Sequence, residues 1–202
     1  MKFATVSMKT VFDNTDGEVV LTDNFYSNDQ SKALFQTLLT QIIWRQETFK
    51  RFGKILKLSR KVAFYADEGI NYVYSNQRHI GLQWNETLIA IKQKISQHTG
   101  AYYNACLLNL YHNGSEGMSW HSDDEKEIVK DSSIASLSLG AARVFYFKHK
   151  KTKQKIAVNL SNGCLLEMKG PVQTHWLHAL PKTKKVTEAR INLTFRHIEF
   201  NG

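Results

Sequence analysis

An α+β fold built around a sandwich or jelly-roll core is predicted by three features of this 202-residue chain. Two amphipathic helical stripes lie in its first half: Leu34, Phe35, Leu38, Leu39 and Ile42, then Trp84, Leu88, Ile91 and Ile95. From Tyr102 onward the pattern changes to short strands and turns, at 103–111, 118–123, 133–139, 143–148, 155–159, 163–168 and 190–198. Strands at that density must stack as two sheets or close on themselves. The third feature is composition: 42% hydrophobic and 22% charged residues are ordinary for a globular protein, and two prolines, Pro171 and Pro181, leave no proline-rich linker. One domain over 1–202 is expected, with helices and a basic hairpin in 1–100 and the strand-rich part in 101–199.

In chain order, 18–26 reads as a strand with an exit turn. Asn28 or Asp29 can cap the first helix, whose stripe runs to about Trp44. The next segment, Arg45 to Lys61, carries seven Lys or Arg against one acid, Glu47. Phe52 stands there between Arg51 and Gly53. An aromatic in that setting suits a hairpin tip that wedges into a base stack, or simply packs back onto the sheet. Residues 62–66 and 70–74 read as strands joined by the turn Asp67-Glu68-Gly69. Tyr72 and Tyr74 share a face, as core or as a stacking platform. The second helix ends near Gly100.

The net charge of +9 favours a polyanionic partner, and the clusters at Lys148–Lys155 and Lys182–Lys185 add to the basic hairpin as phosphate-contacting surface. Cys106 and Cys164 sit in apolar runs, as thiols in a reducing compartment do. No apolar run reaches the length of a membrane span, and Met1-Lys2-Phe3-Ala4-Thr5 lacks the layout of a signal peptide. A monomer in the cytoplasm, or in the nucleus of a eukaryote, is expected, with no membrane partner.

The chemistry begins at His121 and Asp123, two residues apart on a presumed strand and so on one face. Two histidines and a carboxylate make the open-sided ligand set of non-haem Fe(II) oxygenases. The third ligand must come from far along the chain; the pair His175-Trp176-Leu177-His178 supplies two choices, and spacing does not decide between them. Residues 190–196 add a second site. Ile191, Leu193 and Phe195 alternate with Arg190, Asn192, Thr194 and Arg196, so one face of the strand carries two guanidiniums, an amide and a hydroxyl. The arginines lie roughly 20 Å apart on an extended strand, and long side chains can converge on a short dicarboxylate between them. Asn109 and Tyr111 bring another amide and a phenol. A metal site beside a dicarboxylate site points to Fe(II), O2 and 2-oxoglutarate.

Asn109-Leu110-Tyr111, His121-Ser122-Asp123-Asp124-Glu125, Ile134 to Ala141, His175 to Pro181 and Arg190 to Arg196 together resemble the AlkB family of nucleic-acid dealkylating dioxygenases, in its duplex-DNA-repairing animal branch. The resemblance implies a double-stranded β-helix core over 101–199 and a nucleotide-recognition lid before it. It implies that His178, the second histidine of its motif, completes the metal site with His121 and Asp123, and that Asn109, Tyr111, Arg190, Thr194 and Arg196 hold 2-oxoglutarate. Phe52, Gly53 and Lys54 would form a finger that fills the gap of a flipped base, with Arg60 as a phosphate-contacting or finger-supporting arginine. Tyr72, Val73 and Tyr74 would belong to the lid, and Asp124 and Glu125 would meet the base edge. Tyr74 stands where the branch has phenylalanine, Ser59 where it has proline and Ala66 where it has glycine. The implied function is oxidative removal of methyl groups from 1-methyladenine and 3-methylcytosine in DNA, with release of formaldehyde and succinate. The same chemistry on RNA or protein, and a catalytically inactive damage-binding module, are the alternatives.

Overall fold

The computed structural model describes residues 5–51, 54–74 and 77–199. In chain order it contains β1 (Ser7–Asn14), β2 (Gly17–Asp23), α1 (Asn28–Gln41), β3 (Arg45–Arg51), β4 (Lys54–Ala66), β5 (Asn71–Tyr74), β6 (Gln77–Ile80), α2 (Glu86–Thr99), β7 (Ala105–Tyr111) and β8 (Met118–His121). Then come β9 (Ile134–Gly140), β10 (Arg143–His149), β11 (Lys155–Leu160), β12 (Leu165–Lys169), the single turn α3 (Val172–His175), β13 (Trp176–Leu180) and β14 (Arg190–Arg196). The strands form an eight-stranded sheet ordered β1-β2-β12-β9-β14-β7-β4-β3, a four-stranded sheet ordered β11-β10-β13-β8, and the separate hairpin β5-β6. Neighbours are antiparallel throughout. Two stacked antiparallel sheets of this kind are a jelly roll.

The core falls into two large clusters and a smaller one around Phe64, Ile70, Leu107 and Ile198. Leu38, Leu88, Ile91 and Ile95 of the helices pack with Leu108, Leu137, Leu193 and Phe195 of the large sheet. Ile134, Phe147, Val158, Leu166 and Trp176 join the large sheet to the small one. β14 is buried along its whole length, so its alternation has a physical consequence. Its apolar residues lie in the helix-side cluster, and its four polar residues face the space between the sheets. Leu38 is wholly buried, and Leu38→Ala should lower stability by about 2–5 kcal/mol, read as a fall in the urea midpoint at unchanged slope.

Several local expectations shift. Ser27, rather than Asn28 or Asp29, caps α1: its hydroxyl accepts from Gln30 N–H and the Gln30 side chain accepts from Ser27 N–H, a reciprocal capping box. Asn28 is the first helical residue, and its Oδ1 accepts from Asn162 instead. The helix stops at Gln41, and Trp44 folds back to donate to Leu39 O. β1 was not foreseen because it is an edge strand with little burial and hence no alternation. β8 ends at His121, so Asp123 lies beyond the ladder, and strand parity is not what brings the two together. Among the described residues no helix is long and apolar enough to cross a membrane.

Candidate functional site

The space between the sheets narrows to a cleft of about 540 Å³, part of it open solvent, lined by both polar and apolar side chains. β7 sends in Asn109 and Tyr111, and β14 sends in Arg190, Asn192, Thr194 and Arg196. From the small sheet come His121 and His178, which are direct cross-strand partners on β8 and β13. Asp123 joins them from the segment after β8.

His121 Nε2 and His178 Nε2 are 3.1 Å apart, and each lies 3.7 Å from Asp123 Oδ1. Donors about 2.1 Å from one ion and at right angles stand about 3 Å from each other, so the spacing suits two corners of one coordination sphere. The tautomer agrees. His121 Nδ1 lies 2.8 Å from the carbonyl of Ser119, an acceptor only, so the proton sits on Nδ1 and Nε2 offers its lone pair. His178 Nδ1 is buried without a hydrogen-bond partner, and nothing there opposes a proton on that side. Burial and then the adjacent His178 push the His121 imidazole down to about 4, which keeps it neutral and able to ligate. Burial pushes the Asp123 carboxyl up, but the adjacent Arg196 guanidinium outweighs it and holds the group well below the usual carboxylate range.

A second group, Asp16, His149 and His175, also brings three ligand atoms within 4.8 Å. Its hydrogen bonds argue against a metal. His149 Nδ1 accepts from the N–H groups of Lys151 and Thr152, at 3.3 and 3.0 Å. The proton must therefore lie on Nε2, which donates to Asp16 at 3.0 Å and has no lone pair left to give. These bonds leave a lone pair on His121 Nε2 turned to its cluster and none on His149 Nε2.

The other end of the cleft is built for an anion. Arg190 is 3% exposed, and its Nη2 donates to Ser138 Oγ at 2.9 Å and Asn192 Oδ1 at 2.6 Å. Its Nε is buried without a partner, and no carboxylate among the described residues pairs with it. Burial lowers its pKa, with Arg143 adding to the effect. A buried guanidinium held by neutral groups is costly unless an anion completes it. Asn192 also accepts from Ser136 and donates to Thr194 Oγ1 at 2.8 Å, so the polar face of β14 is one network.

The expected site residues also make contacts that the sequence did not signal. Arg196 turns to Asp123 Oδ2, at 3.1 Å through Nε and 2.7 Å through Nη2, and so fixes the carboxylate. Arg60 is buried and donates to Asn109 Oδ1 at 3.0 Å, which puts it beneath the cleft wall. Tyr111 lies with its ring 5.6 Å from the Arg190 guanidinium carbon. The Asp124 side chain is 63% exposed, accepts from Ser122 Oγ and lies 3.6 Å from Lys150 Nζ; Glu125 is half-buried beside it. Phe52 and Gly53 fall outside the described residues, as do the side chains of Lys54, Tyr72, Val73 and Tyr74. Lys54 opens β4, and the three residues 72–74 lie on β5. Sequence reasoning passed over Ser136 and Ser138 as site residues, although their alternation with Leu137 and Leu139 signals a polar inner face. It also passed over Phe145, whose ring stacks on His178 at 5.4 Å, and Gln173; neither carries a local pattern.

Residues 18–196 match the model of the 2OG-Fe(II) oxygenase superfamily. The chain is 36% identical to the DNA oxidative demethylase ALKBH2 of Homo sapiens over 184 residues, covering 86% of this chain and 70% of that protein. It is 33% identical to the alpha-ketoglutarate-dependent dioxygenase alkB homolog 3 of Bos taurus over 190 residues, covering 89% and 66%. It thus spans about two thirds of the length of these curated relatives. The solved structure of OsALKBH1 covers 92% of this chain with a TM-score of 0.66 at 17% identity, a likeness of fold.

Proposed function

From a chain that belongs to the 2OG-Fe(II) oxygenase superfamily, and within it to the AlkB family, we propose an oxidative demethylase acting on N-alkylated bases in DNA. Fe(II), 2-oxoglutarate and O2 are the cofactor and co-substrates of that family. The observation that carries the reading is one cleft holding both a convergent His121–Asp123–His178 set and a buried Arg190 that lacks a counter-ion.

His121, Asp123 and His178 would hold the iron, and Arg190 would take a carboxylate of 2-oxoglutarate with Tyr111, Asn109 and Thr194 nearby. When bound, iron would activate O2 and 2-oxoglutarate would supply two of the electrons that this needs. The protein's own part is positioning. Arg196 grips Asp123 Oδ2 and leaves Oδ1 turned to the two imidazoles. Phe145 stacks on His178, and Leu107, Met118, Met168 and Leu180 add apolar surface to the wall. Exposed Arg45, Lys57 and Lys61 on the basic hairpin can meet phosphates. Asp124 offers an exposed carboxylate beside Asp123 to a cationic base such as 1-methyladenine or 3-methylcytosine, once that base has left the stack. One oxygen atom of O2 ends in succinate, formed with CO2, and the other on the N-methyl carbon, which then leaves as formaldehyde.

Matched single-stranded and duplex DNA carrying 1-methyladenine tests this. Formaldehyde and succinate should appear in step with lost methyl groups, only when Fe(II) and 2-oxoglutarate are both present. Turnover confined to methylated RNA would overturn the DNA assignment, and no succinate with any substrate would overturn the enzyme.

A further inference from the structure

Asp123 has an anchor at each end, and only one of them is a charge. Arg196 holds the carboxylate. The main-chain end is held by a side chain fifty residues away: Asp123 N–H donates to Gln173 Oε1 at 2.9 Å. β8 has ended at His121, so no ladder sets the path of this backbone, and the amide of Gln173 stands in for one. We propose that Gln173 is a positioning residue that sets the Asp123 carboxylate against the two imidazoles. This rests on the reading of His121, Asp123 and His178 as the metal site.

Gln173 is itself seated. Its Nε2 lies 3.4 Å from Met168 Sδ, on the cleft wall, and its main-chain carbonyl accepts from Lys150 Nζ at 2.8 Å. The N–H of Lys150 donates to His175 O at 2.7 Å, so the β10–β11 turn clamps α3 by two bonds. The same ammonium lies 3.6 Å from Asp124 Oδ2, next along from Asp123. α3 runs directly into β13, which carries His178. One helical turn therefore governs both ligand-bearing segments: Asp123 through a side-chain hydrogen bond and His178 through chain continuity. Lys150 belongs to a cluster whose charge alone suggested phosphate contact, yet its ammonium is spent on this internal clamp. Partners of this outer kind, which orient a ligand without touching the metal, typically affect metal affinity by about 10–100-fold.

Co(II), which reports its coordination through its visible absorption, is the probe. Gln173→Leu roughly keeps the volume and removes the acceptor; it should bind Co(II) roughly 10-fold or more weakly, with an altered spectrum and a native circular-dichroism signature. Gln173→Glu keeps an acceptor at that point and should restore most of the affinity. In the iron-loaded protein Gln173→Leu should need more Fe(II) for half-maximal rate and recover kcat at saturation. Gln173→Ser, too short to span the gap, repeats the test should leucine disturb the turn. Wild-type Co(II) affinity and spectrum in both Leu and Ser variants would overturn the proposal, as would a Glu variant no better than Leu. Asp123→Ala separates the two readings: if it binds Co(II) normally, the metal site is misassigned. If it loses Co(II) while Gln173→Leu does not, only the role of Gln173 falls.

Discussion

A His178→Ala protein is expected to release no formaldehyde from methylated DNA while remaining folded. His178 faces His121 across the β13–β8 pair, and its Nε2 is one of three atoms converging on one point. Loss of an outer partner costs such sites up to roughly 100-fold in metal affinity; loss of a ligand atom should exceed that. The ring also stacks on Phe145 and lies edge-on to Phe147, so alanine leaves a hole, and His178→Gln serves as the volume-keeping companion. Circular dichroism checks the fold, Co(II) titration the metal, and formaldehyde release the chemistry. His175→Ala is the contrast. His175 is half-exposed and its ring lies beside Asp16, 3.6 Å from Oδ1, outside the cleft, so this variant should retain activity. Full activity in His178→Ala, or its loss only in His175→Ala, would reverse the assignment of the two histidines.

That choice marks where the sequence stops being legible. The polar and apolar faces of β14 could be read directly, because a strand between two packed layers must alternate. The helices could be read for the same reason, since Leu38, Leu88, Ile91 and Ile95 follow the helical period and all are buried. Proximity of His121 to Asp123 was also legible, though for a reason that does not hold: the strand ends between them. What was not legible depends on contacts between distant segments. Arg196 and Arg190 look equivalent on β14, yet one ends on Asp123 and the other on neutral groups, a difference that only the packing of the small sheet creates. Arg60 reads as surface charge in a basic run and is buried against Asn109, because β4 pairs with β7 along the cleft floor. The amide of Gln173 gives no periodic signal at all. Residues whose role is to hold another residue are set by three-dimensional neighbours, and their spacing in sequence carries no trace of it.

Arg190→Met should separate co-substrate binding from stability. In the wild-type protein this guanidinium is buried, bonds only Ser138 and Asn192, and has no acidic partner among the described residues. Truncating one member of a buried charge pair costs about 2–5 kcal/mol of binding. If 2-oxoglutarate supplies the other member, its KM should rise roughly 30-fold or more, with smaller change in kcat at saturation. The free protein should respond oppositely. Removing a buried charge that lacks a counter-ion is neutral or stabilising, so the melting temperature without 2-oxoglutarate should hold or rise. A ligand present at about 100 times its Kd adds about 2.7 kcal/mol to the folded state, so 2-oxoglutarate should raise the wild-type melting temperature and leave Arg190→Met nearly unmoved. Melting both proteins with Mn(II) in place of iron, with and without 2-oxoglutarate, reads all four values without turnover. Equal 2-oxoglutarate shifts in the two proteins would move the carboxylate away from Arg190. A variant that melts far below wild type even without 2-oxoglutarate would instead make this arginine a structural member of the β14 network, with Ser136, Ser138, Asn192 and Thr194 as its dependants.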